Sequence, residues 1–509
     1  MFQQSITGHI LLWFKGLLLQ YDASVTYRMI MRVANAIEEK FLQSGIHHFF
    51  TTPSKAEALY KNSLIYTILS FLWQKCLLLI QKCSSYIGRI NQNGINRAIY
   101  NKISQTGICK LEHLCAIFFA LMLLVPHTYW NNLYAFIGAL ALSAVYLVRA
   151  ARNKAMASDI RALPISLFLF GFALVVSVIV APTRMDGIRI ALFFLSSILF
   201  MLLCAGGIQN KKALLSFLKI LLGGLAVLCV FAIIQRFIGV EVNPEFTDVK
   251  ANEGMPGRVY ATMSNPNNFA EIVVLLLPFA YAMLLSAKNT KKRIGWGAVI
   301  LLGIVALTMS YSRSCYVAFA LGVVIFIALY DWRWLLPLAV LAIACIPLLP
   351  ETVLNRILTI GSMTDTSNAS RIYIWIGVLD MLKEHFVTGI GIGPAAFAQV
   401  YAPYAHFLAT TAPHSHMLYL ELFVELGLLG GISFLLFMFA CIKKSLATYA
   451  HADSTLKNLI IAGIASLGGI FFVCIAEYIW FYPRVMFIFW IVVGILLCAV
   501  RLARKEKGI

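Results

Sequence analysis

Four apolar runs in this chain, 268–287, 294–311, 459–480 and 484–500, constrain it most. Each approaches the roughly 20 residues that a helix needs to cross a hydrocarbon core. In lipid every backbone N–H and C=O must find a partner inside the protein, which leaves helices or closed barrels. No barrel-like alternation of polar and apolar residues appears, so the expected fold class is an all-α polytopic membrane protein. Composition agrees, because 61% of the 509 residues are hydrophobic and 12% are charged, too few polar groups to cover a soluble surface.

From residue 111 onward we read twelve spans: 111–126, 132–148, 163–181, 188–207, 213–235, 268–287, 294–311, 314–330, 334–349, 417–442, 459–480 and 484–500. Every second connection is basic. Arg149, Arg152, Lys154 and Arg161 are followed by Lys211 and Lys212, then Lys288, Lys291, Lys292 and Arg293, then Arg333, then Lys443, Lys444 and Lys457, and Arg501, Arg504, Lys505 and Lys507 at the end. Because Lys and Arg mark cytoplasmic loops, both termini are expected in the cytoplasm. The pair 314–330 and 334–349 is joined by the hairpin Asp331-Trp332-Arg333-Trp334; were it a single re-entrant element, sidedness on one flank of it would invert. Residues 1–110 read as a cytoplasmic or interfacial helical extension, since their apolar stretches 10–20 and 62–80 are interrupted by lysine. The opening MFQQSITGHI has neither a basic n-region nor a small-residue cleavage site, so no removable signal peptide is expected.

The net charge of +19 is dispersed as topology signals and forms no basic stripe, so no nucleic-acid partner is expected. Of eleven cysteines, Cys204, Cys229, Cys345, Cys474 and Cys498 lie within apolar runs and are expected to be buried free thiols. No Cys/His metal spacing and no nucleotide-binding pattern occurs, so no metal or other cofactor is expected.

Two long connections, 236–267 and 350–416, carry the remaining polar material, and structureless loops of that length are usually functional. Arg258 lies among Gly254, Pro256, Gly257 and Pro266, in a sharply turning loop that could offer a guanidinium and backbone amides to an anion. It could equally anchor a lipid phosphate. Asn265, Asn267 and Asn268 could cap the following helix or hydrogen-bond a sugar. Arg313 stands at a span end, where an arginine must snorkel or face a water-filled cavity. Arg371 sits in a segment whose apolar residues Ile372, Ile374, Trp375 and Val378 recur at helical spacing, as on a helix lying along the membrane face. His416, preceded by His414, opens another span, and an imidazole there could act as a general base. Tyr401, Tyr404 and Tyr419 could stack on sugar rings or belong to an interfacial aromatic belt. The span count places Arg258, Arg313, Arg371 and His416 in one compartment, outlining an anion-binding, base-containing pocket.

The segments GRVYATMSNPNNFAEIVVLLLP, SYSRSCYVAFALG, SRIYIWIGVLDMLKEHFVTGIGIG and PHSHMLYLELFVELGLLGG resemble, in order and spacing, the bacterial O-antigen ligase and polymerase superfamily of membrane glycosyltransferases. The likeness runs over about 111–500. His416, followed after ten residues by Gly427, matches that superfamily's H-x10-G element. Arg371 matches the arginine of its R-x3-L element, with Trp375 in the place of leucine. Arg258 and Arg313 resemble its other arginines. The resemblance implies a GT-C-like fold with a large extracytoplasmic loop at about 350–416, carrying amphipathic helices, in a bacterial plasma membrane. It implies a metal-independent, inverting transfer of a glycan from undecaprenyl diphosphate to the hydroxyl of a glycan or glycolipid acceptor, such as a lipid A core. His416 would be the base, with His414 as the substitute candidate, Arg371 and Arg258 would hold the diphosphate, and Arg313, His414, Asn265, Asn268 and Tyr404 would contact substrate. Partners would be the lipid-linked donor, the acceptor and membrane lipids. A polymerase, whose acceptor is a second lipid-linked glycan, and a small-anion transporter are the alternatives. A transporter would be expected to carry polar groups near mid-membrane, whereas Glu271, Glu421, Glu425 and Glu477 lie towards span ends.

Overall fold

The computed structural model describes residues 25–52, 55–90, 110–152, 163–243, 255–361 and 366–508. It divides into two compact units, Met1–Ser54 and Lys55–Ile509. Regular structure among the described residues is entirely helical. In the first unit α1 (Val25–Gln43) is followed by α2 (Gly45–Thr51), which starts where the Ser44 side chain accepts a hydrogen bond from His47 N.

The second unit contains α3 (Lys55–Lys61), α4 (Leu64–Ile90), α5 (Leu111–Leu124), α6 (Leu133–Arg152), α7 (Ile165–Val180), α8 (Arg184–Gly207) and α9 (Lys211–Ile238). It continues with α10 (Pro266–Ser286), α11 (Thr290–Met309), α12 (Arg313–Asp331), α13 (Leu335–Cys345), α14 (Glu351–Leu358), α15 (Thr366–His385) and α16 (Pro394–Tyr401). The last helices are α17 (Leu418–Tyr449), α18 (Ser454–Val473) and α19 (Pro483–Lys507). Helix α19 runs through the core. Its Trp490 lies among Phe170, Phe437 and Trp480, and Gly494 meets α8 so closely that a Cβ would lie 2.6 Å from Met201 O. Small residues allow this approach, which supplies dispersion contact where lipid offers no hydrophobic drive.

The bundle has two chemically different ends. At one, Lys211 pairs with Asp453 and, at 3.7 Å, with Glu506, Arg501 reaches the carbonyls of Gly206 and Ile208, and Asn458 Nδ2 donates to Ser286 Oγ at 3.3 Å. These contacts gather junctions that carry Lys211, Lys212, Lys288, Lys291, Lys292 and Lys457. At the other end His127 N donates to Thr262 O at 2.9 Å, Arg484 Nη1 to Val125 O at 2.8 Å and Leu418 N to Cys474 O at 3.0 Å. The described residues of the connections 236–267 and 350–416 belong to this second end. The alternation of basic and non-basic loops in the sequence is therefore a separation of the two ends in space.

A helix coincides with every one of the twelve apolar runs, but among the described residues ten helical stretches, rather than twelve, are long and apolar enough to cross a membrane. Helices α5 and α7 fall short at 14 and 16 residues. Leu64–Lys82, expected at the interface, joins the set, and Trp73 and Leu77 of α4 are packed against the main core. By length and composition Arg313–Cys345 passes as one stretch, yet the chain folds back within it. Asp331 accepts from Arg333 N in a 3-10 turn. Further along, Arg356 Nε donates to Tyr311 O at 3.1 Å and Arg313 Nη1 to Thr359 O at 3.1 Å. The chain that leaves residue 313 along α12 is back beside it by α14, as a hairpin requires.

Two expectations need correction. Cys345 is exposed, unlike Cys204, Cys229, Cys474 and Cys498, because α13 lies at the rim with no buried residue. The run 459–480 is helical only to Val473. Asp453 caps α18, accepting from Leu456 N at 2.7 Å, and so starts the helix earlier; residues 474–478 leave it as a turn.

Candidate active site

Arg258 is positioned by a non-helical loop whose backbone is held from three sides. Gln235 Oε1 accepts from Tyr260 N at 3.0 Å and Ala261 N at 2.9 Å, Val259 N donates to Met309 O at 3.2 Å, and Thr262 Oγ1 donates to Leu123 O at 2.6 Å. Ala261 and Ser264 adopt positive φ, 49° and 61°, a strained choice for residues with a Cβ. Pro266 opens α10, and Asn265 caps it, accepting from Asn267 N at 2.8 Å. This geometry buries the Arg258 side chain, with Nε donating to Ser310 O at 2.8 Å and Nη2 to Asn267 Oδ1 at 2.5 Å.

Asn267 extends the chain of contacts. Its Nδ2 donates to Glu477 Oε1 at 3.0 Å, and the same oxygen accepts from Arg371 Nη2 at 2.5 Å. One carboxylate from the turn after α18 thus ties α10 to α15. Arg258, Asn267, Glu477 and Arg371 form one hydrogen-bonded line across four separate stretches of sequence.

One turn along α15 from Arg371, Trp375 Nε1 donates to Ser415 O at 2.9 Å, in the loop that carries the histidines. Ser415 N donates to Glu421 Oε2 at 2.6 Å. The His416 backbone sits at φ 54° and its N donates to His414 Nδ1 at 3.0 Å, so His414 carries any neutral-state proton on Nε2. The two rings are 4.1 Å apart. Burial lowers the His416 pKa below the usual imidazole value; Glu477 opposes the shift and Arg371 adds to it. Burial, then His416 and Arg371, push His414 well below that value. Both shifts favour the neutral imidazole. His416 Nδ1 is buried with no hydrogen-bond partner among the described residues, an unsatisfied ring nitrogen beside an arginine and a carboxylate.

A further cation was not singled out in the sequence. Arg356 on α14 is 6% exposed and close enough to Arg258 to depress its pKa, after burial, to about 9. Arg258 stays protonated at neutral pH. Three guanidinium groups, those of Arg258, Arg356 and Arg371, therefore lie at this site, as an anion pocket demands.

The structure brings Arg258, Arg371, His414 and His416 together around Glu477. Arg313 faces the adjoining α14 segment through Thr359. Asn265 acts as a cap, with its Nδ2 3.4 Å from Tyr482 Oη. Asn268 is buried, and its Nδ2 has no partner among the described residues. Tyr404 lies apart. Its Oη donates to Glu384 Oε2 at 2.7 Å, and Glu384 is about 20 Å along α15 from Arg371 by the rise per residue. Among the described residues no group of three or more His, Cys, Asp or Glu side chains could hold a metal ion.

Residues 298–435 match the family model described as O-Antigen ligase. The match runs from α11 into α17 and includes Arg313, Arg356, Arg371, His414 and His416; Arg258 and Glu477 lie outside it. No curated protein matches the chain.

Proposed function

We propose, from the O-antigen ligase domain that this multi-pass membrane protein carries over residues 298–435, that the chain transfers a glycan from undecaprenyl diphosphate to an acceptor hydroxyl. The line of contacts from Arg258 through Asn267 and Glu477 to Arg371, with His416 beside it, supports this reading best. A neutral imidazole adjoining a cluster of guanidinium groups provides a base on one side and an anion clamp on the other.

In the proposed reaction His416 takes the acceptor proton as the hydroxyl oxygen attacks the anomeric carbon. The bond from that carbon to the phosphate oxygen breaks, and its electron pair leaves on undecaprenyl diphosphate. Arg258, Arg371 and Arg356 stabilise the charge that develops there. Glu477 holds Arg371 in place and favours the imidazolium that forms. Direct displacement inverts the anomeric centre, and the arginines take the part that a divalent ion has elsewhere. We place this chemistry at the outer face of a bacterial plasma membrane, opposite the lysine-rich end, in a GT-C-like bundle with both termini cytoplasmic. A ligase and a polymerase share all of these steps and differ only in the acceptor.

The test is an assay of purified protein with undecaprenyl-diphosphate glycan and a series of acceptors. Undecaprenyl diphosphate should be released without added divalent metal. Full activity of His416→Ala would remove the base, and activity abolished by a chelator and restored by metal would remove the arginine-only clamp.

A further inference from the structure

A second polar recess adjoins His414. Its cavity has a volume of about 300 Å³, at the small end of the range for ligand pockets. The wall between the two regions is the Glu477–Tyr478 dipeptide. Glu477 turns to Arg371, whereas Tyr478 donates from its Oη to Glu425 Oε2 at 3.0 Å and lines the cavity. His414 stands against that wall, its ring centroid 5.5 Å from Tyr478 and 4.4 Å from Phe481, another lining residue.

The lining has both hydrogen-bonding senses. Asn131 and Asn132 spend their amide oxygens locally, on Leu133 N at 2.9 Å and Trp130 Nε1 at 3.0 Å, which leaves their NH2 groups as donors. Glu421 and Glu425 are buried, and their oxygens accept from Ser415 N at 2.6 Å, Gly393 N at 3.0 Å and Tyr478 Oη. Each carboxylate oxygen has two lone pairs, so acceptor capacity remains. The Trp480 indole lines the cavity at 3% exposure, and its Nε1 has no hydrogen-bond partner among the described residues. The Arg189 guanidinium that lines the cavity is already paired with Asp186 at 2.7 Å, which leaves a phosphate little counter-charge, and amide donors have no use for a lipid tail. A ligand whose every polar group both donates and accepts, and whose rings carry flat C–H faces, satisfies all of these groups together.

We propose that this cavity is a saccharide subsite that holds a neutral sugar of the acceptor. The assignment rests on the proposed glycan transfer and deepens it. An inverting displacement needs the attacking hydroxyl and the departing diphosphate on separate sides of the anomeric carbon, and the histidine pair joins two separate regions: His414 touches the cavity residues Tyr478 and Phe481, while its neighbour His416 lies near Glu477 and Arg371. The narrow volume suits an acceptor terminus and excludes a polyprenyl chain.

Two probes separate this assignment from the proposed function. Undecaprenyl diphosphate, followed by its effect on the melting temperature in detergent, reports the arginine side. Diazirine-tagged glucose, galactose and N-acetylglucosamine, followed by mass spectrometry of the crosslinked peptides, report the cavity. In the wild type at least one sugar should label residues 131–132 or 478–486. Filling the cavity with Ile190→Trp should reduce that labelling about tenfold, or 1.4 kcal/mol, while undecaprenyl diphosphate still shifts melting as in the wild type. Arg189→Leu, at an exposed lining position, should weaken labelling in the same sense and serves if the bulkier variant does not fold. Absence of label, label mapping elsewhere, or equal labelling of the variants would overturn the subsite. Labelling at the cavity in a protein that ignores undecaprenyl diphosphate would leave the subsite standing and overturn the glycan transfer.

Discussion

At the residue scale, His416 combines strain, burial and opposed charges. A residue with a Cβ at φ 54° is sustained only by its surroundings, here the bond from its backbone N to His414 and the grip of Trp375 on Ser415. As the proposed base the imidazole must be neutral, and its pKa is lowered by burial, so transfer should persist below the usual histidine range and fail only as pH drops through the lowered value. A pH–rate profile with its acid limb at or above the usual imidazole value would contradict this. Glu477→Gln removes a charge that favours the imidazolium and should move the acid limb still lower. His416→Ala is expected to reduce transfer about a hundredfold or more, measured as undecaprenyl diphosphate released. Trp375, where the resembling family has leucine, gains a physical role as a hydrogen-bond donor. Trp375→Leu should weaken folding by about 0.5–1.5 kcal/mol and lower kcat more than it changes donor KM, because it loosens the base and leaves Arg371 in place.

At the element scale, the most instructive feature is the break in α17. Gly427 has φ 64° inside an otherwise helical stretch, and a Cβ there would lie 2.4 Å from Val387 O. The chain at 387–391 crosses the break: Ile390 N donates to Val424 O at 2.8 Å and Leu428 N to Val387 O at 3.3 Å, so backbone groups freed by the kink are satisfied by the crossing segment. The ten-residue interval between His416 and Gly427 is thus the first part of a broken helix, whose Glu421 holds Ser415 and whose Glu425 holds Gly393. Gly427→Ala should destabilise by about 1–3 kcal/mol in a detergent melting experiment, and the variant that remains folded should lose activity through a displaced histidine loop. An unchanged melting temperature would show that the crossing tolerates a methyl group. Helix α18 teaches the complementary lesson. Its apolar run continues past Val473, so hydropathy extends the span over Glu477; capping by Asp453 and the turn at 474–478 take that carboxylate out of the helix and into contact with Arg371.

At the scale of the whole molecule, the prediction concerns sidedness. With Lys211, Lys457 and Arg501 at one end and the histidine loop at the other, a membrane-impermeant maleimide should label Gln399→Cys in intact cells and Lys288→Cys only after permeabilisation; the reverse pattern would put the site in the cytoplasm. The amino-acid sequence by itself determined the helical class and the alternation of basic loops, since both follow from local hydropathy and charge that any fold must respect. It also singled out Arg258, Arg371 and His416, because isolated cations and an imidazole are conspicuous beside apolar runs. Only the tertiary structure brought Asn267, Glu477 and Arg356 to them and turned the Tyr404 hydroxyl to Glu384 instead. Those contacts join side chains as far apart in sequence as Asn267 and Glu477, whose shared hydrogen bond depends on how the ends of α10 and α18 meet. Neither hydropathy nor periodicity carries that information, because both describe a helix along its own axis and are silent about which neighbour it finds.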